Sequence, residues 1–285
     1  MKLNYRFYRK TKNFMFLILT IVAALAVLIP LFMIIQYVLV QGASSLSLDF
    51  FTELPKPVGE TGGGMKHAII GTICLVFLGA TIAVPIGVTC GIYLSEFRKS
   101  KLSKSLKLTV DLMSGIPSIV IGIFAYLMVV VPLKSFSALA GGIALSIIML
   151  PIIIKTSEEI LKLVPDHIRE AGLALGLPRW KVIIFIVLKG EVSNLLTGII
   201  LAISRAAGET APLLFTAFGN MYMSFRLNEP MASLPVQIYT YAISPFKEWQ
   251  RQAWAGAFVL MVLILSLNLF ARYILTKIKD KKGIS

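Results

Sequence analysis

The hydropathy pattern along the chain is a series of long apolar runs separated by shorter polar stretches. Apolar runs of about 17 residues or more are typical of helices that cross a lipid bilayer. The pattern predicts six such spans, at about residues 14–40, 68–94, 110–131, 138–154, 192–218 and 253–275. It therefore indicates an all-α polytopic membrane protein, in which residues 1–285 form a single transmembrane domain.

Two of the predicted spans contain an internal proline, Pro85 in the second and Pro117 in the third. Membrane helices tolerate such prolines where neighbouring groups satisfy the freed carbonyls, so both are predicted to kink their helices rather than end them. The third span is expected to start near Asp111, with this residue as its cap. Residues 219–252 are predicted to form a long polar loop.

The start of the fifth span is ambiguous, because apolar residues begin at Val182 and again at Val192. Lys189 and Glu191 would be costly within lipid. The start is therefore placed near Val192, which leaves residues 155–191 as a polar segment between the fourth and fifth spans.

Composition supports a membrane protein, with 57% hydrophobic and 15% charged residues. The net charge of +14 would also suit a nucleic-acid-binding protein. However, the basic residues lie between the apolar runs, where membrane topology explains them and no nucleic-acid partner is expected. With the N-terminus in the cytoplasm, six spans put most of them on the cytoplasmic side: Lys2, Arg6, Arg9, Lys10, Lys12, Arg98, Lys99, Lys101, Lys104, Lys107 and the C-terminal lysines. Both termini and residues 155–191 are thus predicted to be cytoplasmic.

Within that segment, residues 166–188 begin with a short polar helix. Pro165 and Asp166 mark its start, with the aspartate as a predicted cap, and Gly176 followed by Pro178 marks its end. It carries a short apolar face of Ile168, Ala171, Leu175 and Leu177. Such a helix is too polar for lipid, so it is either an ordinary surface helix or a docking element.

Arg205 and Glu209 lie near the middle of the predicted fifth span, four residues apart and so on one helix face. Charges at that depth cost at least a few kcal/mol each and usually face a polar pathway or each other. One interpretation is a neutralised pair that holds helices together. The other is a site on a transport path, because a guanidinium matches phosphate or carboxylate oxygens. The residues alone leave both interpretations open.

Two motifs resemble known permeases. Glu170, Ala171 and Gly172, then Gly176, then Ile186 and Leu188 are similar to the coupling motif of ABC importer permeases. Gly172 replaces the usual second alanine, and Lys189 replaces a proline. The run Ser204–Leu213, SRAAGETAPL, resembles the permeases of phosphate importers of the PstA type, with Ser204 in place of a glycine. The runs 84–87, 91–94 and 115–120 resemble the same family.

This resemblance implies a six-helix type I ABC importer permease in a prokaryotic cell membrane. It would form the pore with a second homologous permease (PstC-type) and receive phosphate from an extracytoplasmic binding protein (PstS-type). Two ATPase subunits (PstB-type) would bind ATP and magnesium. Arg205 and Glu209 would then lie on the substrate path, and Glu170, Ala171, Gly172 and Gly176 would couple the chain to the ATPase.

The sequence contains no Walker A motif, no nucleophile motif and no metal-ligand cluster. The chain is therefore not expected to be an enzyme or to hold a metal or cofactor of its own. Two alternatives remain at this stage. One is a permease for molybdate or sulfate, and the other is an ATP-independent secondary transporter, which would need coupling charges of its own.

Overall fold

A computed structural model describes residues 2–60 and 62–281, and all the regular secondary structure in them is helical. The helices are α1 (Lys2–Ser44), α2 (Asp49–Thr52), α3 (Lys66–Glu96), α4 (Lys101–Gly115), α5 (Ser118–Leu133), α6 (Ala138–Leu163), α7 (Asp166–Ala174), α8 (Arg179–Ala207), α9 (Ala211–Thr216), α10 (Leu234–Ala242) and α11 (Lys247–Lys281). Residues Tyr126–Val130 of α5 and Val182–Leu188 of α8 are π-helical.

Five of these helices, α1, α3, α6, α8 and α11, are long and apolar enough to cross a membrane. Helices α4 and α5 pass the same criteria together but are bent by 107° at a short break. The described residues thus provide six spans if the bent pair counts as one. The prediction of an all-α, multi-pass membrane protein is confirmed.

The break within the third span lies at Ile116 and Pro117, where the prediction of a kinked but continuous helix is wrong. Ile116 is extended, with ψ 129°, as expected for a residue that precedes proline. The helix therefore ends at Gly115, and a new one starts at Ser118. By contrast, Pro85 lies inside an unbroken α3. Asp111 lies inside α4, so it caps no helix.

Helix α8 differs from the predicted fifth span at both ends. It begins at Arg179, runs through Lys189 without a break and ends at Ala207, so a continuous helix over 192–218 is wrong. Gly198 packs on α6 so closely that an added Cβ would lie 2.7 Å from Thr156 Oγ1. Because α8 runs antiparallel to α6, Lys189 and Glu191 lie beside the last turns of α6 or beyond its end.

Helices α3 and α6 form the centre of the bundle and pack through small residues. An added Cβ at Gly87 would lie 2.7 Å from Ile153 Cγ2, and one at Gly91 would lie 2.4 Å from Ser157 Cβ. Buried apolar residues of α8 and α9 complete the main core around them. This close packing places the middle of α6 between α3 on one side and α8 on the other.

Residues 219–252, predicted as one polar loop, contain helix α10 and the first turn of α11. The amide of Leu234 donates to Thr72 Oγ1 at 2.7 Å, which ties this region to α3. Helix α1 is exposed over most of its length and packs on α11, where Tyr37 and Trp254 meet edge to face. Much of the apolar surface of α1 is therefore left uncovered by the rest of the subunit.

Candidate functional site

The polar helix predicted after Pro165 is α7, and its two ends differ in how well the sequence predicted them. Its N-cap is Pro165, which makes no side-chain cap, and Asp166 instead accepts a hydrogen bond from Arg169 Nη1 at 3.4 Å. The prediction that Asp166 caps the helix is therefore wrong. At the other end Gly176 adopts φ +78° and the amide of Leu177 donates to the carbonyl of Gly172. The predicted stop at Gly176 is confirmed.

Gly172 is the buried residue of α7. An added Cβ would lie 2.8 Å from Ile186 Cδ1 and 3.0 Å from Val182 Cγ2. The close approach of α7 to the π-helical turn of α8 explains why glycine suits this position. Glu170 and Ala171, the other two residues of the motif, are exposed.

The apolar side chains of the same segment are turned away from the rest of the subunit. Leu175 is 82% exposed, and Leu173 and Trp180 are about half exposed. In a soluble surface loop, apolar side chains of this size would more commonly fold back onto the protein. The tip of the segment is thus an uncovered apolar surface beside the exposed Glu170.

Two buried charges fix the position of α7, and sequence analysis missed both. Arg169 Nε donates to Glu96 Oε1 at 2.9 Å, and its other nitrogens donate to the carbonyls of Leu161 and Val164 at 2.8 and 2.5 Å. The Arg169 and Glu96 side chains are 12% and 4% exposed. This one guanidinium therefore connects α7 to the ends of α3 and α6.

Arg179 reinforces the same junction from the start of α8. Its Nη2 donates to the carbonyl of Glu96 at 3.2 Å, and its guanidinium lies 4.8 Å from the ring centroid of Phe97. An open cavity of about 490 Å³ adjoins these groups. The sequence did contain a clue, because Glu96 is an acidic residue among basic ones at the end of an apolar run.

Arg205 and Glu209, the predicted charge pair, are brought together, but not on one continuous helix. Arg205 lies in the last turn of α8, and Glu209 follows its end in the link to α9. Arg205 Nε is 3.6 Å from Glu209 Oε1. A cation in the last turn of a helix is also stabilised by the helix dipole. The pair is thus formed, although the expected shared helix face is not its cause.

The guanidinium of Arg205 is largely open, with 62% of its side chain exposed, whereas Glu209 is 15% exposed. Arg205 borders a small cavity of about 60 Å³. The other lining residues come from both sides of the α4–α5 break and from the middle of α6: Met113, Ser114, Ile116, Ser118, Ile121, Ile148, Pro151 and Ile152. Arg205 therefore lies level with the middle of α6.

A cavity of this size is far below the ~300–1,000 Å³ of complete small-molecule sites. Together with the exposure of Arg205, it shows that this subunit leaves one side of the guanidinium uncovered. Within residues 2–60 and 62–281, no three His, Cys, Asp or Glu side chains are grouped so that they could hold a metal ion.

Comparison with known proteins places the chain among transport permeases. It is 45% identical over 273 residues to the phosphate transport system permease protein PstA of Yersinia pestis, with 95% of this chain and 92% of that protein covered. It is 42% identical to the protein of the same name from Haemophilus influenzae, with 94% and 96% covered. A probable PstA of Methanocaldococcus jannaschii is 35% identical, with 96% and 97% covered.

Solved structures show the same fold at low sequence identity. A chain of a bacterial alginate ABC transporter, in complex with its alginate-bound periplasmic protein, superposes with a TM-score of 0.68 at 15% identity, covering 94% of this chain and 96% of that one. A chain of the MetNI methionine ABC transporter superposes with a TM-score of 0.58 at 17% identity, covering 75% and 94%. The fold is thus that of type I ABC importer permeases.

Residues 83–280 match a protein family that is described as "binding-protein-dependent transport system inner membrane component". The match includes α7, with Gly172 and Gly176, and the Arg205–Glu209 pair. Together with the relatives that align over nearly the whole chain, it shows that this protein belongs to the family of binding-protein-dependent transport system inner membrane components.

Proposed function

We propose that this chain is a permease subunit of an ATP-driven importer of inorganic phosphate. The substrate is taken from the relatives named PstA, which align over more than nine tenths of both chains. The observation that carries the proposal is the guanidinium of Arg205, level with the middle of α6 and open on one side. A second homologous permease, of the PstC type, would cover that side and complete the pore.

Arg205 would attract the phosphate anion and replace part of its hydration shell. Its planar fork of donors suits phosphate oxygens. Glu209, less exposed and 3.6 Å away, would orient the guanidinium and offset its charge, so that phosphate binds without being trapped. This division of roles fits the large difference in exposure between the two side chains.

The docking element for the ATPase would be the tip of residues 166–188. Its exposed Glu170 and Ala171 and its uncovered apolar side chains would enter a cleft of a PstB-type ATPase, which binds ATP and magnesium. Gly172 and Gly176 would set the shape of the helix for that contact. Two ATPase copies, one per permease, and an extracytoplasmic PstS-type binding protein would complete the complex.

The proposed topology places both termini and residues 155–191 in the cytoplasm. Basic residues concentrate on the segments that this topology puts inside, in agreement with the positive-inside rule. Residues 166–188, called the coupling segment from here on, then face the compartment that holds ATP. Residues 1–285 would act as one permease domain.

Uptake by the complete complex in proteoliposomes tests this function. Radiolabelled phosphate should accumulate with ATP in the lumen, and excess molybdate or sulfate should compete poorly. Arg205→Gln should reduce uptake at least tenfold, since a charge-assisted contact of about 1.4 kcal/mol or more is lost. The complex should still assemble.

A matched control is Arg226→Gln. Arg226 also pairs with a glutamate, Glu229, but lies outside the helices that could span the membrane, and its side chain is 81% exposed. Normal phosphate uptake by Arg205→Gln would remove this residue from the mechanism. Preferential uptake of molybdate or sulfate by the unaltered complex would contradict phosphate as the substrate.

A further inference from the structure

Two ion pairs continue the wall of the Arg205 cavity towards the coupling segment. Lys155 Nζ lies 2.8 Å from Asp111 Oδ1, and Lys107 Nζ lies 3.4 Å from Glu158 Oε1, so each pair joins α4 to α6. Lys162, one turn along α6, also contacts Glu158. An apolar cluster that includes Val110 and Ile154 also joins α4 to α6, so these helices do not depend on the ion pairs alone.

The Lys155–Asp111 pair shares its helix faces with the cavity. Pro151 and Ile152 of α6 line the cavity beside Arg205, and Lys155 follows them by one helical turn, about 5 Å. On α4, Ser114 lines the cavity, and Asp111 precedes it by three residues. The pair therefore lies directly beyond the cavity, on the side where α6 leads into α7.

The two pairs differ in how easily an incoming anion could replace the carboxylate. Glu158 is 7% exposed and is held by two lysines, which is the arrangement of a permanent buried contact. Lys155 and Asp111 are 37% and 51% exposed and are in direct contact, and the charge of Lys107, one turn earlier on α4, acts on Asp111 from further away. An exposed pair contributes little stability, so the ammonium can exchange its partner at small cost.

We propose that Lys155 is a second anion-binding station on the phosphate path, between Arg205 and the side of the coupling segment, and that Asp111 is its exchangeable counter-ion. An anion that leaves Arg205 would bind the Lys155 ammonium in place of the Asp111 carboxylate. The return of Asp111 would then release the anion. This inference rests on the proposed phosphate transport and assigns the exit half of its path.

Two uncharged variants, Lys155→Gln and Asp111→Asn, distinguish an anion-binding role from a purely structural ion pair. Both remove the same ion pair, so a purely structural pair predicts similar changes for both. An anion station predicts opposite changes in the affinity for phosphate on the exit side. Asn at position 111 removes the competing carboxylate, whereas Gln at position 155 removes the cation.

The experiment uses the whole complex in proteoliposomes loaded with ATP and increasing inorganic phosphate. The measured quantity is the lumenal phosphate concentration that halves the uptake rate. Asp111→Asn should lower this concentration about tenfold and Lys155→Gln should raise it about tenfold, the usual size for one charge-assisted contact. Lys162→Gln, which loses an ion pair on the same helix but leaves Lys155 and Asp111 in place, should match the unaltered complex.

Three results would contradict Lys155 as an anion-binding station. They are a shift of this concentration in the same direction for Lys155→Gln and Asp111→Asn, no shift in either variant, or an equal loss of complex assembly in both. These outcomes are separate from failure of the proposed function. That failure would show itself as absence of phosphate uptake by the unaltered complex, or as normal uptake by Arg205→Gln.

Discussion

Arg169 and Glu96 form a buried ion pair between the short helix α7 and the end of α3, with Nε 2.9 Å from Oε1. The same guanidinium donates to the carbonyls of Leu161 and Val164, where α6 ends. Three chain segments are thus held at one point. A displacement of α7 would therefore act on α3 and α6 as well as on α8, which follows it in the chain.

Removing one partner of this ion pair should destabilise the protein more than removing both partners. Arg169→Met leaves the buried Glu96 carboxylate with only Arg179 Nη2, at 4.0 Å, as a cation, so the loss should lie near the lower end of the about 3–5 kcal/mol typical of a broken buried pair. The double variant Arg169→Met with Glu96→Leu should recover much of that loss. Thermal unfolding of the purified complex measures the stability of each variant, and ATP-driven phosphate uptake measures its transport activity.

Additive losses in the Arg169 and Glu96 double-mutant cycle would contradict the coupling described here. Asp166→Asn is a suitable control. Asp166 also contacts Arg169, at 3.4 Å, but its side chain is 73% exposed. This variant should change stability by less than about 1 kcal/mol.

The two glycines of the coupling segment should respond differently to alanine. Gly176 has φ +78° and open space around an added Cβ, so Gly176→Ala should cost about 1–2 kcal/mol from backbone strain alone. Asparagine tolerates this conformation better, so Gly176→Asn should be milder. Melting temperatures of the complex would rank the variants.

Gly172 is limited by packing instead. An added Cβ meets the terminal methyl of Ile186 at 2.8 Å, which can move, and the buried Val182 Cγ2 at 3.0 Å, which has less freedom, so Gly172→Ala should cost about 1 kcal/mol. Gly172→Leu should cost about 1–3 kcal/mol, as overpacking does. A larger cost for Gly172→Ala than for Gly172→Leu, or for Gly176→Asn than for Gly176→Ala, would contradict this division between packing and backbone strain.

The sequence predicted long helices better than their breaks. The apolar runs located α1, α3, α6 and α11, because a run of that length has few other stable structures in lipid. The ends of α8 were missed, since hydropathy does not distinguish a helix that continues past the lipid from one that begins there. The break at Pro117 was missed because a membrane helix can either continue through a proline or end at it, and α3 continues through Pro85.

Ion pairs were predicted from the sequence where the two residues are neighbours in the chain and were missed where they are not. Arg205 and Glu209 are four residues apart, and the structure pairs them, though across the end of α8. Glu96 and Arg169 are 73 residues apart, and Asp111 and Lys155 are brought together by helix packing. Without a three-dimensional arrangement, nothing in the sequence connects either pair.

Substitution of Leu175 tests the proposed docking surface directly. It is 82% exposed at the tip of the coupling segment, so Leu175→Asp should leave the isolated permease intact while weakening capture of the ATPase subunits at least tenfold. Leu48→Asp is a matched control, because Leu48 is 86% exposed but lies between α1 and α3, far along the chain from the segment. Equal capture of the ATPase subunits by the Leu175→Asp and Leu48→Asp variants would contradict docking at this tip.

Gly122 sets the spacing between α5 and the start of α9, next to Glu209. An added Cβ would lie 2.7 Å from Pro212 Cα, a backbone atom that cannot move alone. Gly122→Ala should therefore cost about 1–3 kcal/mol and reduce uptake. Gly219→Ala, where an added Cβ meets nothing within 4 Å, should change neither the melting temperature nor the uptake rate.

The break in the third span also determines where irregular backbone lies relative to lipid. Helix α5 rises only about 24 Å at 1.5 Å per residue, less than the ~30 Å hydrocarbon core. It is therefore too short to cross that core alone, so the break at Ile116 and Pro117 would lie at membrane depth. Irregular backbone at that depth is tolerated only where protein covers it or where it lines a water-filled cavity. The break borders the Arg205 cavity, so this part of the chain would need water or a partner protein beside it.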